Sequence, residues 1–338
     1  MSFNLPISPL TPITNHPGTN RGISLFIKRD DLLHPEIQGS KGRKLSALFP
    51  MIQHSYPGGI VTFGGAFSNH LHAVATVGRI FGISTTGLIR GEHIDLQNPT
   101  LRYCQENGMT LQGLSKTNYD RFKQLSVQTL GRQKSVAHLD YHVDYQYSNL
   151  GVPHIFEFPN SYFLPEGGNT PQAVEACMAI PIEITAQLPS ALAGQPLYLC
   201  TPAGTGCTAA GIVAGLTLPN SRVLIFPVSS HGLGTDTILG LLPDSPHLES
   251  RFELIQDYTF GGFAKLNLQV MAFTRTFFQQ TNILLDPIYT AKLLFGVFDK
   301  LAKGDFAAGS TVVVLHTGGL QGWEGFSTRY GGAGSINP

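Results

Sequence analysis

Charge is what this chain has least of. Of its 338 residues only 13% are Asp, Glu, Lys or Arg, about half of the usual share. The 22 basic and 22 acidic side chains cancel, and no basic run stands out. A nucleic-acid binder needs a concentrated positive face, so no nucleic-acid partner is expected. Cysteine is scarce as well: Cys104, Cys177, Cys200 and Cys207 form no C-x-x-C pair. Their spacing in a chain of this length does not resemble a disulfide framework, which points to a reducing compartment. Long apolar runs are missing too. No stretch approaches the roughly 18 continuous apolar residues of a membrane span. Residues 1–22, rich in proline and threonine, have neither the basic start nor the apolar stretch of a signal peptide. The expectation is a soluble, cytoplasmic protein with no membrane partner.

What is present is apolar residues, 42% of the chain, and 38 glycines that follow no period. The length suits two domains of about 100–200 residues each. Runs at 60–63, 85–89, 109–114, 162–164, 198–201, 223–228 and 311–315 predict strands. Helical spacing predicts helices starting at Ser68, at 99–107, around Phe122, Leu125 and Leu130, and at 206–216, 268–280 and 291–303. Thr170-Pro171 reads as an N-cap followed by proline at the first helical position, and the helix it opens is expected to bend or break at Pro181. Residues 131–161, rich in His and Tyr, give no regular pattern. Strand–helix alternation predicts an α/β fold of parallel sheets covered by helices. In such sheets ligands bind beyond the carboxyl ends of the strands, and the glycines collect at those ends.

Several segments there could carry chemistry. Lys41, in Gly39-Ser40-Lys41-Gly42-Arg43-Lys44, could hold an aldehyde cofactor as a Schiff base, or be one exposed lysine at a basic helix start. To attack a carbonyl it must be neutral, a form that partial burial would favour. Gly204-Thr205-Gly206-Cys207-Thr208 follows a strand and opens a helix, as a phosphate cradle would, or as a plain turn would. It lacks the lysine of a Walker loop. Gly64-Gly65-Ala66-Phe67-Ser68-Asn69-His70 could receive a carboxylate, and Ser68 could equally be an N-cap. His70 and His72 lie two apart on a helix and point different ways, so no metal site is expected. Tyr289, near a helix start in Asp286-Pro287-Ile288-Tyr289-Thr290, could pack or act as an acid or base. No G-x-S-x-G elbow of a serine hydrolase occurs.

Taken in order, Lys28-Arg29-Asp30-Asp31, Gly39-Ser40-Lys41, Ser68-Asn69-His70, Pro165-Glu166-Gly167-Gly168, Gly204 to Thr208, Asp286-Pro287-Ile288-Tyr289-Thr290 and His316-Thr317-Gly318-Gly319 resemble one family. It is the 1-aminocyclopropane-1-carboxylate deaminase and D-cysteine desulfhydrase family, pyridoxal-phosphate enzymes of the tryptophan synthase β fold (fold type II). The resemblance spans about residues 25–319. It implies two open parallel-sheet α/β domains: a large cofactor-binding domain of residues 1–44 and 163–338, and a small inserted domain of residues 45–162. It implies pyridoxal 5′-phosphate as cofactor and a small amino acid as substrate. Lys41 would hold the cofactor and then act as the proton-transfer base. Gly204, Thr205, Gly206, Cys207 and Thr208 would hold its phosphate. Asn69 would bond the ring 3′-oxygen. Ser68, Asn69 and His70 would form the carboxylate pocket, with Ser68 helping in proton transfer. Tyr289 and Phe263 would line the substrate, and Thr290 and Thr317 the ring.

Three positions depart from the family pattern. Thr290 stands where the deaminases have glutamate. A threonine leaves the ring nitrogen less protonated, which suits loss of a good β-substituent more than ring opening. Phe263 replaces a common tyrosine, and Ser40 a usual asparagine. The resulting expectation is D-cysteine desulfhydrase-like β-elimination giving pyruvate, ammonia and sulfide. Cyclopropane-type deamination, a non-catalytic cofactor-binding protein and a nucleotide-binding α/β protein are the alternatives. Low charge and apolar helices fit a homodimer.

Overall fold

Runs of Val, Ile, Leu and Phe closed by glycine become the strands of two separate sheets. The computed structural model describes residues 3–133, 158, 160–230, 232–242 and 247–334. Along the chain, β1 (Leu10–Ile13) and β2 (Ser24–Arg29) precede helix α1 (Gly39–Ser55). Then come β3 (Gly59–Gly64), α2 (Asn69–Phe81), β4 (Thr85–Arg90), α3 (Pro99–Glu106), β5 (Met109–Leu114), α4 (Lys116–Gln133) and β6 (Ser161–Leu164). The second half contains α5 (Pro171–Cys177), α6 (Ala179–Gln187), β7 (Leu197–Ala203), α7 (Cys207–Gly215), β8 (Ser221–Pro227), α8 (Thr235–Leu239) and β9 (Phe252–Leu254). It ends with α9 (Leu268–Thr281), α10 (Thr290–Lys303), β10 (Thr311–His316) and α11 (Gly322–Tyr330). Most of the irregular region expected at 131–161 lies outside the described residues.

The chain divides into two compact units. One is Met1–Asn4 with Leu45–Thr170; the other is Leu5–Lys44 with Pro171–Pro338. The first has a four-stranded sheet in the order β5-β4-β3-β6, parallel throughout. β6 pairs along its whole length with β3, Ser161 opposite Gly59 and Leu164 opposite Thr62. The expected boundary between residues 162 and 163 therefore falls inside a strand, and the chain stays in this unit through Thr170.

The second unit has a six-stranded sheet in the order β1-β2-β10-β7-β8-β9. It is parallel except for the edge strand β1, which runs antiparallel to β2. Side chains of a strand alternate between faces, and the apolar core divides accordingly. Leu25, Ile27, Val312 and Val314 join one cluster with Leu294 and Val297 of α10. Phe26, Val313 and Leu315 join another with Ile180 and Ile184 of α6 and Ile212 of α7. A sheet covered on both faces explains the continuous apolar runs. β2 escapes that pattern because it ends in Lys28-Arg29, yet Lys28 is fully buried.

The expected break at Pro181 occurs earlier. α5 stops at Cys177, Met178 links the two, and Pro181 sits in the first turn of α6. There its missing N–H costs nothing, since the first helical N–H groups have no intrahelical acceptor. The break lets both helix ends press on α7. A Cβ on Gly211 would overlap Cys177 and the Val174 carbonyl, and one on Gly215 would reach 2.5 Å from the Met178 carbonyl. The substitution Gly211→Ala is therefore expected to lower stability by about 1–3 kcal/mol through overpacking. A urea midpoint equal to wild type would show that α5 has room to retreat.

Candidate active site

The lysine motif is seated by backbone contact. Gly39 opens α1 with φ 63°, and a Cβ there would overlap the Thr317 carbonyl. Gly318, at φ 69°, stands against Gln38, where a Cβ would come within 2.6 Å of the Gln38 Cβ. Gln38 Oε1 accepts from the Gly319 and Leu320 N–H groups at 3.2 and 3.1 Å. The loop after β10 and the start of α1 thus lie backbone to backbone, a fit only glycine permits. Lys41, two residues into the helix, is half-buried, and Ser40 is buried.

Two residues further, Arg43 enters a buried network of four charges. Its Nε and Nη2 bond both Asp30 oxygens at 2.7 Å, and its Nη1 and Nη2 bond Glu183 at 2.7 and 2.9 Å. Lys28 Nζ meets Glu183 at 2.7 Å and also bonds the Ser8 carbonyl, while Ser8 Oγ donates to Asp30 at 2.6 Å. Burial alone would weaken the Arg43 charge, but Asp30 and Glu183 outweigh it and push its pKa above the usual value. Burial likewise pushes the Glu183 carboxyl up, and Arg43 and Lys28 overcome this and hold it below its usual range. The network ties Arg43, at the start of the second turn of α1, to β2 and α6.

The second glycine segment sits one strand away. β7 lies beside β10 in the parallel sheet, so Gly204 to Thr208 and Thr317 leave neighbouring strand ends. Gly206 precedes α7 with φ 87°, and a Cβ there would press on Ile238 and Leu233 at 2.8 and 2.9 Å. Thr205 is half-buried, Cys207 and Thr208 are buried, and Gly204 is exposed. The first N–H groups of α7 point toward this loop, as an anion site requires. Tyr289 Oη comes within 3.3 Å of where a Cβ on Gly204 would stand. Phe263 meets Tyr289 edge-on, with ring centroids 5.9 Å apart at 75°. The structure thus brings Gly204, Tyr289 and Phe263 together.

Asp286 explains the local shape of the Tyr289 segment. Its buried carboxylate accepts from the N–H groups of Ile288, Tyr289 and Thr290 at 3.0, 2.7 and 2.7 Å, capping α10. Burial pushes its pKa up, while the hydroxyl and N–H of Thr290, nearby His316 and the Tyr289 N–H pull it down. The Thr290 hydroxyl lies beside this carboxylate without the geometry of a formed bond. Its Oγ1 is buried and has no hydrogen-bond partner among the described residues. His316 accepts on Nδ1 from the Gly318 N–H at 3.2 Å, so its Nε2 is the donor to the Leu284 carbonyl at 2.8 Å. It links the Thr317 loop to the segment before Asp286.

Ser68, Asn69 and His70 belong to the other unit. Ser68 is the N-cap of α2, accepting from the Leu71 N–H at 3.2 Å. Gly64 leaves room for it, since a Cβ there would stand 2.8 Å from Ser68 Oγ. Ser68 and Asn69 are half-buried. His70 is buried, with Nε2 2.8 Å from Thr62 Oγ1. That hydroxyl gives its own proton to the Leu164 carbonyl, so His70 Nε2 is the donor. His72 turns elsewhere and stacks on Tyr103 at 3.8 Å. Sequence patterns gave no role to Gln38, Glu183 or Lys292, and quoted Asp286 only as part of the Tyr289 segment. The signal available for Glu183 was a lone charge in an otherwise apolar helix; Lys292 shares α10 with Asp299, Lys300 and Lys303 and carried no such signal.

These features, a lysine at a glycine-locked helix start beside a strand-end anion loop, are those of a cofactor enzyme. The chain belongs to the pyridoxal-phosphate dependent enzymes, whose family model matches residues 4–318. Pyridoxal phosphate is its cofactor. A putative 1-aminocyclopropane-1-carboxylate deaminase of Pyrococcus abyssi is 25% identical over 328 residues, covering 92% of this chain and 90% of that one. A bifunctional D-cysteine desulfhydrase/1-aminocyclopropane-1-carboxylate deaminase of Arabidopsis thaliana is 26% identical over 342 residues, covering 95% and 79%. A solved structure described as an ACC deaminase homologue has a TM-score of 0.72 at 24% identity, covering 93% of this chain and 90% of that one, and shows the shared fold. The residues present fit the cofactor on independent grounds. Gly204 keeps the loop open beside Tyr289, whose Oη is 3.3 Å from where a Cβ would stand, and the buried Thr290 Oγ1 makes no hydrogen bond among the described residues.

Glu183 is ionised in the network, and its folded pKa is depressed. Its contribution is present above the unfolded value of about 4.3 and is lost as pH falls through the lower folded value. The wild-type urea midpoint should drop in acid, and Glu183→Gln should remove part of that drop. Arg43→Met should cost about 3–5 kcal/mol by leaving buried carboxylates without their cation. An Arg43→Met midpoint equal to wild type would contradict the assigned role of the network.

Proposed function

We propose that the chain is a pyridoxal-phosphate-dependent lyase acting on a small amino acid, with D-cysteine-like β-elimination as its reaction. Water and D-cysteine would give pyruvate, ammonia and hydrogen sulfide, with no net oxidation. The observation that carries the reading is Thr290, a threonine with a buried unpartnered Oγ1 where a carboxylate would favour a protonated ring. Relatives that carry desulfhydrase in their names add support. The composition supports a cytoplasmic homodimer.

Bound, the cofactor supplies an electron sink for the carbanion at the substrate Cα. The chain's residues would do the rest. Lys41 would hold the cofactor through Nζ, and, once displaced by substrate, take the Cα proton. The N–H groups of Thr205, Gly206, Cys207 and Thr208 and the threonine hydroxyls would hold the phosphate at the positive end of α7. Thr290 Oγ1 would face the ring nitrogen, and Thr317 would line the same wall. Asn69 would bond the ring 3′-oxygen. Ser68, Asn69 and His70 would take the substrate carboxylate, and Ser68 would help move the proton. Tyr289 and Phe263 would flank the β-substituent and limit its access to water. The β-sulfur would depart with its bonding pair and be protonated to hydrogen sulfide, and water would supply the oxygen of pyruvate as ammonia is freed.

The test is pyruvate formation from D-cysteine, L-cysteine, 3-chloro-D-alanine, D-serine and 1-aminocyclopropane-1-carboxylate. D-Cysteine and 3-chloro-D-alanine should be the productive substrates. Lys41→Ala should abolish the absorption band of the lysine-bound cofactor and lower turnover by at least about a hundredfold. Pyruvate from the cyclopropane substrate alone would replace the proposed reaction, and none from any of the five would overturn it.

A further inference from the structure

Lys292 stands two residues past Thr290 on α10 and is only 2% exposed. Its acceptors are backbone carbonyls. Nζ donates to Gly262 at 2.6 Å, to Thr259 at 2.8 Å and to Val228 at 3.5 Å. Among the described residues no carboxylate is paired with it. Burying an ammonium in this way costs more than burying a methionine of similar length. What the charge gains is a grip on one turn.

That turn is strained. Phe260, Gly261, Gly262 and Ala264 have φ of 48°, 80°, 110° and 51°. Two of these are residues with side chains in the left-handed region, which persist only where the surroundings hold them. Lys292 holds the near side. On the far side Tyr330 Oη donates to the Ala264 carbonyl at 2.9 Å. Phe263 lies between the two anchors, 42% exposed, with its ring edge-on to Tyr289. The chain of contacts runs from Lys292 through Gly262 and Phe263 to Tyr289 and Gly204.

We infer that Lys292 is a positioning residue, whose ammonium keeps the turn at 259–262 in its strained form and so fixes Phe263 against Tyr289. The inference rests on the proposed function for the role of that aromatic wall; the grip itself does not. Burial pulls the Lys292 pKa down to about 8, and buried Asp286 pulls it back up. The grip is therefore complete below that pH and fades as pH rises through it. The other titratable groups nearby are accounted for. Tyr258 Oη donates to Asp299 at 2.7 Å, Asp257 and Lys265 are exposed, and residues 227–229 at the end of β8 carry none.

The test is hydrogen exchange of the cofactor-loaded protein at the Gly262 and Lys265 amides, which bond the Thr259 and Gly262 carbonyls. It is read beside the D-alanine concentration that half-saturates the cofactor's spectral change. D-Alanine has no β-leaving group, so this readout is independent of turnover. Lys292→Met should keep the cofactor band, speed exchange at both amides and raise half-saturation, each by about tenfold. Wild type should show the same loosening between pH 7 and 9.5, after correction for intrinsic exchange, and Lys292→Arg should not. Unchanged exchange in wild type at pH 9.5 would overturn the inference even if Lys292→Met fails to fold. Faster exchange with unchanged half-saturation would overturn the positioning role. Failure of the proposed reaction shows differently, as D-alanine binding without pyruvate from any substrate.

Discussion

Two cations and two anions, buried together around Arg43, are the constraint from which the site follows. Lys28, Arg43, Asp30 and Glu183 sum to no net charge, and each cation meets a carboxylate within 2.7 Å. An isolated charge in that position would be prohibitively costly, whereas a complete network is tolerable. Its value is specificity of placement. β2 supplies Lys28, the turn after it supplies Asp30, α6 supplies Glu183, and α1 supplies Arg43. A one-residue slip of α1 would strand all four charges, so the helix start has one register. Lys41 inherits that register two residues away.

The other candidate site segments of the larger unit converge by sheet order. β10 and β7 are parallel neighbours, so their terminal loops share one sheet end. Gly39 and Gly318 let the lysine loop and the Thr317 loop touch through backbone alone. Asp286 then sets where α10 begins, and with it the directions of Tyr289 and Thr290. The recurring device is a polar side chain whose hydrogen bonds hold main chain: Gln38 on 319 and 320, Asp286 on 288 to 290, Lys292 on 259 and 262. Rigid backbone is what orientation-dependent chemistry needs.

Much of the fold was legible because its strands are apolar on both faces and its helices carry capping signals. The run at 109–114 is β5 residue for residue, and Ser68 caps α2 as read. β2 was hidden because Lys28 and Arg29 look like surface residues until their carboxylate partners are seen. The break after Cys177 was misplaced to Pro181, since proline is harmless in a first turn. The segments of the candidate site were legible as short motifs in order. The residues that aim them were not, because hydrogen bonds between Gln38 and residue 319, or between Lys292 and residue 259, have no local spacing to read.

The central claim is that Lys41, held by this framework, carries the pyridoxal phosphate. Borohydride reduction of the cofactor-loaded protein followed by peptide mass mapping tests it most directly. The account predicts the reduced cofactor on the peptide containing Lys41 and on no other. Label on Lys292, Lys44 or another lysine, or no label on a protein that binds the cofactor, would contradict it.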